Sequence, residues 1–120
     1  MLLNDLYTIS LPDENDPRLV SIKLNPDHPI FKGHFPGQPV LPGACMMEMV
    51  CEILGKKTGA RLRIVRGPVI KFLSMIVPQQ HPEFLIELNY EDKDGLVSAS
   101  GRFFTGDTNF MKYQLELKPW

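Results

Sequence analysis

The chain has 120 residues, 43% of them hydrophobic and 22% charged, and a formal net charge of −1. That length and apolar content suit one globular domain over residues 1–120 with a core of its own. The near-neutral balance excludes the broad basic surface that non-specific nucleic-acid binding needs.

The opening MLLNDLYTISLPDENDP meets Asp5 and then a polar turn before a signal-peptide core can form. No later segment approaches the roughly 18 apolar residues of a membrane span. The expectation is a cytoplasmic protein with no nucleic-acid partner and no membrane span.

Residues 3–11 are apolar and β-prone, PDENDP supplies turn chemistry, and in 18–25 Val20, Ile22 and Leu24 alternate with Ser21, Lys23 and Asn25. These stretches predict a hairpin. Residues 26–42 hold five prolines and two glycines, which predicts an ordered loop without regular structure and, at that length, a functional one.

From Gly43 to about Lys57 there is no proline, and Met46, Met49, Val50, Ile53 and Leu54 follow helical spacing. Pro42 ahead of this stretch and Lys56 and Lys57 near its end suit the two ends of a helix. The apolar residues reach nearly all round, predicting a helix buried on most sides. Cys45 and Cys51, six apart, lie about 240° from one another on it and cannot bridge each other, so they are read as two buried thiols, with an intermolecular disulfide as the alternative.

Four strand-like stretches follow, at 61–77, 84–91, 96–104 and 109–118, joined by turns short enough for antiparallel hairpins. Gly67-Pro68 inside the first predicts a bulge, because proline cannot donate to a sheet ladder. Two strands, a long loop, one buried helix and several long antiparallel strands make an α+β chain. A single central helix wrapped by a curved antiparallel sheet is the hotdog arrangement.

Residues 33–43, GHFPGQPVLPG, lead into an apolar helix carrying Glu48. This stretch resembles the dehydratases that act on 3-hydroxyacyl chains held by acyl carrier protein in fatty-acid synthesis. Their signature is a Gly-His-Phe-Pro-Gly loop, a Pro-Gly at the helix start and an acidic residue fourteen positions after the histidine, the separation of His34 and Glu48. The resemblance is specific over roughly residues 30–55. It implies that the carbonyl of Val40 holds the other ring nitrogen of His34, and that the protein is a homodimer, or a larger assembly of dimers, in which His34 of one subunit faces Glu48 of the other.

The chemistry assigns the same residues. Loss of water from a 3-hydroxyacyl thioester needs a base for the α-proton, an acid for the departing hydroxyl and a donor for the charge growing on the thioester oxygen. A neutral His34 imidazole suits the base, Glu48 the acid, and the backbone N–H of Gly43, at the helix start, the oxyanion donor. No cofactor is required. A metal held by His28, His34 and Glu48 matches none of the common zinc spacings, and the resemblance implies none. His28 and His81 are read as surface residues.

Phe35, Met46, Met47, Met49 and Glu52 are candidates for the wall of an acyl tunnel, although clustered methionines are also ordinary core filling. Lys56, Lys57, Arg61, Arg63, Arg66 and Lys71 fall in a stretch without acidic residues. They are either a solvated face or a docking patch for the strongly acidic acyl carrier protein.

Three features depart from the resemblance. Glu52 stands one turn beyond the acid, where a glutamine is usual, and two carboxylates at that spacing repel if both ionise. Pro78-Gln79-Gln80 replaces a usual Pro-Gly-Asp, and no Pro-His-Arg-Tyr-Pro-type segment precedes the first strand. A specialised lipid or polyene pathway therefore fits as well as the housekeeping one. Glutamate instead of aspartate at the acid position looks like the branch that dehydrates without isomerising. A thioesterase and a catalytically silent acyl-binding or partner subunit are the alternative readings.

Overall fold

The computed structural model describes residues 1–10, 16–33 and 39–120. Most of the expected first turn, and His34 through Gln38, lie outside the described residues. Strands β1 (Tyr7–Ser10) and β2 (Leu19–Leu24) precede a one-turn helix α1 (Ile30–Gly33) and the long helix α2 (Gly43–Thr58). Strands β3 (Leu62–Phe72), β4 (Glu83–Lys93), β5 (Leu96–Thr105) and β6 (Thr108–Pro119) complete the chain.

All six strands form one antiparallel sheet in the order β1-β2-β4-β5-β6-β3. The expected hairpin is present, with Tyr7 opposite Leu24 and Ser10 opposite Ser21. The turn from β4 to β5 is Asp94-Gly95 with both φ angles positive, 56° and 88°, the conformation that twists a two-residue hairpin in the sense of its strands. Because β3 pairs with β6, it is an outer strand with one hydrogen-bonded neighbour.

Strand alternation and helical period meet in one core. Val20, Ile22, Leu24, Phe84, Ile86, Leu88, Phe103 and Leu115 are buried from the sheet side, and Met46, Met49, Val50, Ile53 and Leu54 from α2. Phe84 stacks on Phe103 with ring centroids 5.9 Å apart, and Phe103 meets Tyr113 edge-on. The α2 helix ends where Gly59, at φ 76°, turns its N–H back to the Gly55 carbonyl at 2.9 Å. Cys51 is buried, Cys45 half-buried, and both are free.

Three expectations need correction. The loop over 26–42 contains α1, started by the His28 ring, whose Nδ1 accepts the Ile30 N–H at 3.0 Å. That contact, with His28 Nε2 lying 3.5 Å from an Asp5 carboxylate oxygen, gives His28 a structural place. The strand expected over 61–77 stops at Phe72, because the N–H groups of Leu73 and Ser74 both turn to the Phe110 carbonyl and leave the ladder. The first strand begins only at Tyr7, the residues before it being wound into a turn. The bulge expected at Gly67-Pro68 is present as a break in register between Arg66 and Val69. Among the described residues, no helix is long and apolar enough to cross a membrane.

Candidate functional site

The face of α2 turned away from the sheet borders an open groove of about 1070 Å³ whose other walls come from β3, the residues just before it and Trp120. Helical geometry decides which side chains reach it. Met46, Met49, Val50 and Ile53 take the stripe packed on the sheet, leaving Met47, Glu48, Cys51 and Glu52 to the groove. Of the candidate tunnel residues, Met47 and Glu52 therefore line this groove, whereas Met46 at 3% exposure and Met49 at 0% are core.

Glu48 is exposed and Glu52, one turn further on, is buried at 8%. Glu52 does not lie unpaired. The N–H groups of Leu2 and Leu3 donate to its Oε2 and Oε1, each at 2.9 Å, and the Tyr7 hydroxyl donates to Oε1 at 3.0 Å. Glu48 opens to solvent on one side, yet loss of water against the groove walls pushes its carboxyl above the ordinary range. The charge of Glu52 and a hydrogen bond with it push the same way; the N-terminal amino group and Arg61 oppose them. Burial, followed by the charges of Glu48 and Glu52, pushes the Cys51 thiol up to about 11, so it is not a ready nucleophile.

Gly43 begins α2 after Pro42, and the first N–H groups of a helix have no acceptor within it. The ring of Phe72 lies over this point; a Cβ on Gly43 would sit 2.5 Å from its Cζ. Val40 is buried nearby in the chain, and its neighbour Leu41 ties to the Ile76 carbonyl at 2.8 Å. His34 and Phe35 lie outside the described residues.

The basic candidates divide. Lys56, Arg61 and Arg63 line the groove, with the two guanidinium groups 5.1 and 5.8 Å from the Trp120 ring. Arg66 pairs with Glu116 at 3.5 Å, and Lys57 and Lys71 are exposed elsewhere. Sequence reasoning missed Trp120 and Tyr7, neither of which carries a local signal for the groove.

Residues 11–106 match the family model described as ApeI-like, ApeI dehydratase. The chain belongs to the ApeI-like dehydratase family. This ApeI-like chain is 42% identical over 85 residues to a 3-hydroxyacyl-(acyl-carrier-protein) dehydratase FabZ of Syntrophomonas wolfei, covering 64% of the chain and 57% of that protein. It is 29% identical over 98 residues to the FabZ of Alkaliphilus metalliredigens, covering 75% of the chain and 66% of that protein. The chain thus spans little more than half the length of several curated relatives it matches. Its fold is shared with a chain of the ApeI:P dehydratase heterocomplex of Xenorhabdus doucetiae, at a TM-score of 0.68 and 20% identity, covering 93% of this chain and 97% of that one. The hotdog architecture of the ApeI-like chain agrees with that likeness.

Glu48 also sets an expected dependence of stability on pH. A carboxyl whose folded-state pKa is raised contributes stability in its protonated form, lost as pH climbs from the ordinary carboxylate range through the folded value. Glu48→Gln removes that loss. Thermal unfolding followed by circular dichroism should show the variant gaining on the wild type between pH 4 and pH 8. A wild type that gains on the variant over that interval would mean that the fold prefers the anion.

Proposed function

We propose that this chain removes water from 3-hydroxyacyl thioesters carried by acyl carrier protein and releases trans-2-enoyl thioesters, without a cofactor. The observation that carries the reading is Glu48, a carboxyl biased toward its protonated form and open to a groove large enough for an acyl chain. His34 takes the α-proton, Glu48 delivers its proton to the departing hydroxyl, and the electrons of the broken C–H bond form the new double bond. The Gly43 N–H meets the charge that develops on the thioester oxygen, while Val40 fixes the imidazole.

The acting unit in this reading is a cytoplasmic homodimer or an assembly of dimers. Support comes from the open edge of β3 and from the apolar side chains beside it, Phe72, Leu73 and Met75, exposed at 56, 52 and 64%. The groove arginines Arg61 and Arg63 with Lys56 face an acidic carrier, an arrangement that speeds encounter more than it tightens binding.

The test is to incubate the purified protein with 3-hydroxyacyl carrier-protein thioesters of several chain lengths and follow products by mass. Loss of one water with the thioester intact is expected. Free acid would point to a thioesterase, and retention of every substrate unchanged would favour a silent acyl-binding subunit.

A further inference from the structure

We propose that Glu52 is a positioning residue, an anion fixed by the N-terminal turn that makes Glu48 the carboxyl carrying the proton. The inference rests on the reading of Glu48 as the acid of the dehydration and adds to it a division of labour between two carboxyls of one helix.

The geometry of the turn carries it. Asn4 adopts φ 70°, a left-handed conformation that asparagine tolerates better than most residues. Its N–H bonds the Tyr7 carbonyl at 2.7 Å, and the Leu6 N–H bonds the Leu2 carbonyl at 2.8 Å. This closes residues 2–7 on themselves and leaves the N–H groups of Leu2 and Leu3 directed at the Glu52 oxygens. Successive N–H groups presented by such a turn form a concavity suited to an anion, and here the anion is a side chain of the protein.

The three groups that hold Glu52 from outside its own helix are all donors. Two are backbone N–H groups with no lone pair to offer, and hydrogen bonds donated to a carboxylate favour its charged form. The third, the Tyr7 hydroxyl, is held far above its ordinary range by burial and then by Glu52, so it stays a donor. Glu48, four residues earlier on the same face, has no such set of donors among the described residues. Of two neighbouring carboxyls that repel when both ionise, the one without donors is the one on which a proton is the better tolerated.

The groups around Glu48 fit the same division. The groups within range of the Glu48 charge are, on α2, Glu52 and the thiols of Cys45 and Cys51 and, on the N-terminal segment, Tyr7 and the amino group of Met1. The charge of Arg61 acts on it from the approach to β3, with Lys56 and Arg63 also on the groove wall. The positive groups pull toward ionisation, and Glu52 is the nearby negative charge that opposes them. A neutral glutamine at this position would leave only the loss of water around Glu48 to oppose that pull.

The decisive measurement is the carbon-13 titration of the Glu48 carboxyl in the intact protein without substrate, compared between wild type and Glu52→Gln. The midpoint is expected to move to lower pH in the variant, and the alkaline limb of the kcat/KM profile to move with it. Tyr7→Phe, which keeps both carboxyls and removes one donor, should move the Glu48 midpoint in the same direction by less. That variant decides the matter if Glu52→Gln does not fold. An unchanged Glu48 midpoint in the folded variants would overturn the proposal and leave Glu52 as a clamp for the N-terminus only. If the wild type forms no enoyl product, the dehydratase reading fails while the titration still decides the role of Glu52.

Discussion

Refolding His34→Ala and Glu48→Gln chains together is expected to return about a quarter of the wild-type dehydratase rate. Each variant alone should have lost on the order of 10²- to 10⁴-fold of it. The imidazole belongs to a proline-rich stretch that the sequence marks as a loop, so its removal takes chemistry and little core. Glutamine at position 48 keeps the shape of the acid and cannot deliver its proton. In the proposed dimer, random pairing makes about half of the pairs mixed, and in each of these one of two sites would combine a wild-type His34 with a wild-type Glu48 from the other chain. Subunit exchange is verified by mass before the rate is read. No return of activity after exchange would mean that one chain supplies both residues, and a folded His34→Ala protein with undiminished turnover would remove the base assignment.

Gly101→Ala is expected to cost about 3 kcal/mol or more of stability, measured by urea unfolding. Gly101 lies in β5 opposite Leu88 of β4 and Tyr113 of β6. A Cβ there would collide with the Glu87 carbonyl and crowd the Tyr113 hydroxyl. That carbonyl accepts the Tyr113 hydroxyl at 2.7 Å, and Tyr113 is 2% exposed. Parting the strands would therefore leave a buried hydroxyl without its acceptor, in addition to the steric cost. Tyr113→Phe should make the alanine less costly, because the hydrogen bond is then already gone. A Gly101→Ala protein within 0.5 kcal/mol of wild type, the range of neutral surface changes, would contradict so close an approach.

Local pattern was enough for most of the architecture. The alternation of Val20, Ile22 and Leu24 marked the buried face of β2, and the spacing of Met46, Met49, Val50 and Ile53 marked the sheet side of α2. The short connection between 84–91 and 96–104 marked a hairpin, which the structure turns at Asp94-Gly95. The end of β3 was not legible, because residues 73–77 are as apolar as a strand and what removes them is a distant carbonyl, that of Phe110. In the candidate site, the carboxyl pair was visible as spacing along one helix. Its partners Leu2, Leu3 and Tyr7 were not, since they stand 45 to 50 residues away and only the tertiary fold brings them to Glu52. The methionines show the limit of composition: Met46 and Met47 are neighbours in sequence, and helical rotation alone sends one to the core and the other to the groove.

Trp120 is the chain's one tryptophan, 73% exposed on the groove rim between Arg61 and Arg63. Its indole is therefore a built-in optical reporter. A ligand entering the groove changes the polarity and quenching around that ring, so titrations read directly from intrinsic fluorescence without a label. The same exposure makes the indole a poor witness to melting of the core, which is better followed through the amide signal of the sheet.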